Sequence, residues 1–254
     1  MDLDLKPVDV LAFAPHQDDV EISCGGTVAA LLSKGYKVAI ADLTDAAMGT
    51  RGTPEDRKRE AAAASEILGI EWRRNLGFPD GFVERSRETD EAIVRLIRAA
   101  RPELILVPYP QDRHPDHTMT GVIVPEAAFR AGLKRYETGQ KHHRPLRVLY
   151  YMTHYEFTPS FIVDISDTWE KKLRSIEAYR SQFAVDGAPK DEEGTFISSG
   201  HFYNRIEARA RYYGSRIAVE FGEPFFQREA VRIDDPMSQT RGSVELLARP
   251  ATGV

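Results

Sequence analysis

Short, continuous apolar runs alternating with helix-forming segments constrain this chain more than any other feature. Residues 8–14, with Val10-Leu11-Ala12-Phe13-Ala14 unbroken before Pro15, carry no polar alternation and read as a parallel strand buried on both faces. Residues 36–43, 72–76 and 104–107 repeat the signal, the last closed by Pro108. Between them lie helical stretches. Residues 27–33 follow Gly25-Gly26 and stop at Gly35. Residues 54–68 open with Pro54, place Glu55 and Asp56 in the first turn and stop at Gly69, the order a helix dipole favours. Residues 89–100 space Ile93, Leu96 and Ile97 along one face. This alternation predicts an α/β fold, a Rossmann-like, doubly wound and mostly parallel sheet, whose ligands gather outside the carboxyl ends of the strands.

The later chain is less regular and predicts a C-terminal α+β elaboration: strands over 148–152 and 161–165, helices over 168–182 and 206–217, and a Gly-, Pro- and acid-rich loop over 185–194. One domain over residues 1–233 is expected, with 234–254 a tail that is flexible or covers a neighbouring subunit. A hydrophobic fraction of 42% is enough for a buried core. The net charge of -5 argues against a nucleic-acid or anionic-membrane partner, both of which select a basic excess, and leaves a small molecule as the expected one. Cys24, the single cysteine, cannot form an intramolecular disulfide and reads as a small packed residue. No basic leader and no apolar run of about 18 residues is present, so a soluble, cytoplasmic protein is expected.

Two clusters carry chemistry. Pro15-His16-Gln17-Asp18-Asp19-Val20-Glu21 follows the first strand and Asp112-Arg113-His114-Pro115-Asp116-His117 follows the fourth, so both open on one edge of the sheet. Either alone could cap a helix or stabilise a turn. Together they can supply three nitrogen and oxygen ligands to a metal and leave a fourth position for water, the arrangement of catalytic zinc. Because sequence neighbours rarely point the same way, Asp18 and Asp19 divide into one ligand and one base. A His2Asp site would also accept Fe(II), Co(II) or Mn(II). Competing readings are a sugar- or nucleotide-binding module, although Gly25-Gly26 does not make a G-x-G-x-x-G loop, and a phosphoesterase, which usually recruits two metals.

The first cluster continued through Ile22-Ser23-Cys24-Gly25-Gly26-Thr27, together with the second, resembles the PIG-L/LmbE-like family of zinc N-deacetylases. Further likeness runs through Gly49-Thr50-Arg51-Gly52-Thr53, Asn75-Leu76-Gly77-Phe78-Pro79-Asp80-Gly81, Asp164-Ile165-Ser166 and Tyr179-Arg180-Ser181-Gln182-Phe183. It is nearest to the bacillithiol-biosynthesis branch, which deacetylates N-acetylglucosaminyl malate; relatives act on inositol-linked sugars and chitin fragments. The resemblance implies that His16, Asp19 and His117 hold one zinc per subunit, that Asp18 is the general base, and that His114 is the acid, supported by Asp116. It also implies a homo-oligomer, trimeric or hexameric. Arg51 and Arg144 are candidate substrate-binding residues. A tyrosine that relatives bring near the site corresponds to Tyr203 or has been replaced by Phe202. Position 17 departs from the family in carrying Gln.

Overall fold

Along Val10–Ala14 (β1) the apolar run divides between two layers: Leu11 and Phe13 pack into one core, while Val10, Ala12 and Ala14 pack into another on the opposite face. A strand covered on both sides has no use for polar alternation. The computed structural model describes residues 5–183 and 200–239. Val38–Thr44 (β2), Trp72–Phe78 (β3), Leu104–Pro108 (β4), Arg147–Tyr151 (β5), Phe161–Asp164 (β6) and Gly222–Phe226 (β7) complete a seven-stranded sheet ordered β3-β2-β1-β4-β5-β7-β6. The first five in that order are parallel, and β7 runs antiparallel to both of its neighbours. The chain winds outward in both directions from β1 and β4. The crevice between their carboxyl ends is therefore the switch point at which such sheets receive ligands.

Arg87–Ala100 (α3) and Pro115–Ala131 (α4) cover one face; Asp19–Ser33 (α1), Pro54–Leu68 (α2) and Trp169–Glu177 (α5) cover the other, and Gly200–Ser215 (α6) packs against β7. Helix α2 spans the residues expected. Thr53 and Asp56 form a reciprocal capping box at its start, and Gly69, at φ 84°, ends it in the left-handed region that glycine enters without strain.

Helix α1 departs from expectation. It begins at Asp19, eight residues before the predicted start, and breaks at Cys24, whose φ of -141° and ψ of 21° are not helical. The second half does start at the glycines. Its free amides Gly26 N and Thr27 N donate to the Glu223 carboxylate at 3.1 and 2.7 Å, and buried Lys172 Nζ donates to the same carboxylate. A Cβ at Gly26 would stand 2.7 Å from Ile165, so only glycine fits there. Strand β7 gave no signal in the sequence. Its Gly222-Glu223-Pro224 looks like a turn, and it is buried because Glu223 satisfies these donors.

Helix α5 ends at Glu177, short of the predicted 182. The predicted loop over 185–194 lies outside the described residues, as does the tail beyond 239; within the tail, Pro236–Gln239 forms a 3-10 turn. Among the described residues no helix is long and apolar enough to cross a membrane.

Candidate active site

The loop leaving β1 folds back on itself. His16 N donates to Asp19 Oδ2 at 2.9 Å, and the ring nitrogen Nδ1 lies 3.2 Å from the same oxygen. From the first turn of α4, His117 Nε2 comes within 3.3 Å of Asp19 Oδ2 as well. Two imidazoles from two strand ends thus converge on one buried carboxylate oxygen.

Each ring is held at its far nitrogen. His16 Nε2 lies 3.1 Å from Asp80 Oδ1 and 3.3 Å from Asp116 Oδ2. His117 Nδ1, a buried atom with no aligned hydrogen bond, lies 3.3 Å from Asp112 Oδ1. A carboxylate behind each imidazole, on the side away from the convergence point, orients metal-ligating histidines and raises their basicity. The donor set of His16, Asp19 and His117 therefore fits a divalent ion: its ligand atoms gather within 4.8 Å of one another. The electrostatics agree. Burial alone would lower both imidazole pKa values, but Asp116, Asp19 and Asp80 raise His16 well above its usual value, and Asp19 and Asp112 bring His117 to about 9. Burial would likewise raise Asp19, and His117 and His16 reverse that to hold it well below the usual carboxylate range. The centre is built to keep positive charge.

The supporting carboxylates are themselves tied down. Asp116 accepts from Gly81 N at 2.7 Å and Val83 N at 3.1 Å, and Asp80 accepts from Met48 N at 2.8 Å. Asp112 accepts from His114 N, Thr153 Oγ1, His154 N and His154 Nδ1. Asp18 stands at the N-cap position of α1 but makes no capping hydrogen bond; its Oδ2 instead accepts from Arg57 Nη1 of α2 at 3.2 Å. The capping role open to the first cluster is thus not taken, and Asp18 lines a cleft of about 430 Å³ beside His16, Asp19 and His117. His114 caps α4: its Nδ1 accepts from Asp116 N at 3.3 Å, so in its neutral form the ring proton sits on Nε2. Burial and the neighbouring His16 and His117 lower the His114 pKa, which favours that neutral form.

Residues 11–128 match the family model described as PIG-L: GlcNAc-PI de-N-acetylase. The chain is 36% identical over 192 residues to a diacetylchitobiose deacetylase from Thermococcus kodakarensis, covering 70% of this chain and 71% of the relative. The chain belongs to the PIG-L family of deacetylases. A probable N-acetyl-alpha-D-glucosaminyl L-malate deacetylase from Bacillus cereus is 31% identical over 68% of this PIG-L chain and 83% of its own length. A conserved protein of known structure from Thermus thermophilus superposes with a TM-score of 0.81 at 35% identity, covering 89% of this chain and 98% of that one.

In this PIG-L deacetylase the fold brings together His16, Asp18, Asp19, His114, Asp116 and His117, as the two clusters predict. Of the three candidate substrate-binding residues, Arg144 and Tyr203 do not line the cleft, and Arg51 is joined to its wall through the backbone. Arg144 lies over the Phe129 ring, 4.6 Å from its centroid, and donates to Phe129 O beside a different cavity. Phe202, rather than Tyr203, lines the cleft; Tyr203 packs edge-on against Phe183, and burial brings its hydroxyl to about 12. The Arg51 carbonyl accepts from Gln182, a residue of the cleft wall, and Arg57 is the arginine that reaches Asp18.

Sequence reasoning quoted Asp112 and Asp80 within its motifs without giving them a role, and missed His154, Arg57 and Arg209. Asp80 and His154 follow β3 and β5 at their carboxyl ends, where the strand-end rule would have found them. Arg57 sits in the run Glu55-Asp56-Arg57-Lys58-Arg59-Glu60, which reads as a solvated helix face.

Proposed function

We propose that this chain hydrolyses the N-acetyl group of an N-acetylglucosaminyl conjugate, with N-acetylglucosaminyl L-malate as the preferred substrate and acetate and a free amine as products. Deacetylation of an inositol-linked sugar or a chitooligosaccharide is the alternative. The observation that carries the reading is the pair of carboxylate-backed imidazoles, His16 and His117, converging on Asp19 beside an uncapped Asp18. One divalent ion, zinc in the first instance, held by His16, Asp19 and His117 would supply Lewis acidity toward the acetyl carbonyl and the attacking water.

The chain's own residues carry the protons. Asp18 takes a proton from the attacking water as its oxygen bonds to the acetyl carbon, while the Arg57 guanidinium on Oδ2 holds the carboxylate in place. His114 presents Nε2–H to the carbonyl oxygen as negative charge develops there, with its ring fixed through Nδ1 by the Asp116 amide. Cleavage of the C–N bond then needs a proton on the departing nitrogen, and the proton that Asp18 accepted supplies it. The acid role expected for His114 thus becomes hydrogen-bond donation to the developing oxyanion. Asp116 acts through backbone amides and His16 rather than by contact with the His114 ring.

Release of free amine from N-acetylglucosaminyl malate, its inositol counterpart and diacetylchitobiose by zinc-loaded protein tests the reading, with Asp18→Asn as control. Turnover that disappears in the control supports it. No amine from any of the three by metal-loaded protein would overturn it.

A further inference from the structure

We infer that α6 supplies the specificity of this cleft: Arg205 and Arg209 form a subsite for a carboxylate on the aglycone, so that acidic conjugates are preferred to neutral oligosaccharides. The inference rests on the deacetylase reading and names its substrate class. Arg209 reaches the cleft wall and donates to Thr153 O at 2.6 Å and to Ile22 O at 3.4 Å. Both acceptors are neutral carbonyls, and no carboxylate among the described residues forms an ion pair with this guanidinium. Of the other guanidinium groups that line the cleft, Arg57 is paired with Asp18, and Arg113 stands beside His114.

Four residues earlier on the same helix, and so on the same face, Arg205 donates to His154 O at 3.3 Å and lines the same cleft. Burial and Arg205 lower the Arg209 pKa, with Glu223 and Glu156 opposing them from a distance. The acids that line the cleft, Asp18, Asp19 and Asp80, are engaged with Arg57, His117 and His16. Arg205 and Arg209 line the same cleft as Asp18, so a substrate whose amide lies at Asp18 can present an aglycone carboxylate to them. Guanidinium forks match carboxylates in shape as well as sign.

The test compares kcat/KM for N-acetylglucosaminyl malate and N,N′-diacetylchitobiose in zinc-loaded wild type, Arg209→Gln and Arg205→Gln. Taking the ratio removes any uniform loss from misfolding, and exposed Arg205 gives a second variant if Arg209→Gln folds poorly. The acidic-to-neutral ratio should exceed about tenfold in wild type and fall at least about tenfold in each variant, with Arg209→Lys intermediate. Titration calorimetry with L-malate alone should show binding to wild type that weakens by a similar factor in Arg209→Gln. A wild-type ratio near one, or a ratio that neither variant changes, overturns the subsite and leaves the deacetylase reading standing. No amine from either substrate or from the inositol conjugate overturns both.

Discussion

Asp112 Oδ1 lies 3.3 Å from His117 Nδ1, on the ring edge opposite the Nε2 that faces Asp19. The carboxylate also holds His154 and Thr153, so one residue fixes an imidazole orientation and joins the end of β5 to the first turn of α4. Burial would raise its pKa, but the close His117 imidazole and hydrogen bonds from His154, Thr153 and the His114 amide hold it far below the usual carboxylate range. It is therefore an anion at every working pH. Asp112→Asn should weaken metal binding by about 10–100-fold, read by chelator competition, while the unfolding transition stays cooperative. Unchanged metal affinity would remove Asp112 from this supporting role.

The metal affinity should depend on pH in a defined direction. With a pKa of about 9, His117 carries a proton throughout the neutral range, and the carboxylates around His16 raise its pKa well above the usual value. An incoming ion must displace these protons, so affinity rises with pH until His117 deprotonates near 9 and falls as pH drops below it. Displacement of the His117 proton gives a slope of about one, or about tenfold per pH unit, and a proton displaced from His16 steepens it. Chelator competition at about pH 6, 7 and 8 reads the slope, and proton release on zinc addition in weak buffer provides a second check. A flat profile would show that the imidazoles are neutral before metal arrives.

Asp18 and Asp19 are adjacent in sequence yet divided in task. Asp18→Asn should lower kcat by about 10²–10⁴-fold with metal content unchanged, because this side chain meets Arg57 and not the imidazoles. Asp19→Asn should lower metal content as well. Activity and zinc stoichiometry measured on the same samples separate the two; equal loss of metal in both variants would contradict the division.

The buried Lys172–Glu223 pair caps the second half of α1. Glu223→Gln leaves the Lys172 ammonium without its counter-charge in a site of 1% exposure and should cost about 3–5 kcal/mol. Denaturant unfolding measures it. Replacing both residues together by apolar side chains of similar volume should recover part of the loss, since the burial cost of the two charges then disappears.

Much of the fold was legible because its signals are local. The apolar continuity of Val10–Ala14 follows from burial on both faces, and the Pro54, Glu55, Asp56 and Gly69 punctuation of α2 reflects capping chemistry confined to a single helix. Strand β7 was illegible for the opposite reason. Glu223 and Pro224 belong in a buried strand only once Gly26, Thr27 and Lys172, distant in sequence, have come to meet the carboxylate. The Cys24 break in α1 is the other half of that relationship.

At the site, the sequence by itself determined the reactive groups and their common edge: His16, Asp18 and Asp19 after one strand, His114, Asp116 and His117 after another, in an order that parallel pairing of β1 and β4 makes adjacent. What only the tertiary structure decided is which group supports which. Asp80, Asp112 and Asp116 each take a particular imidazole nitrogen, Arg57 takes Asp18, and Arg209 is left facing carbonyls, because these are distances of about 3 Å between side chains set by helix docking and loop path. Residue type and spacing along a chain carry the chemistry available to it. Orientation and charge compensation are properties of the packed molecule.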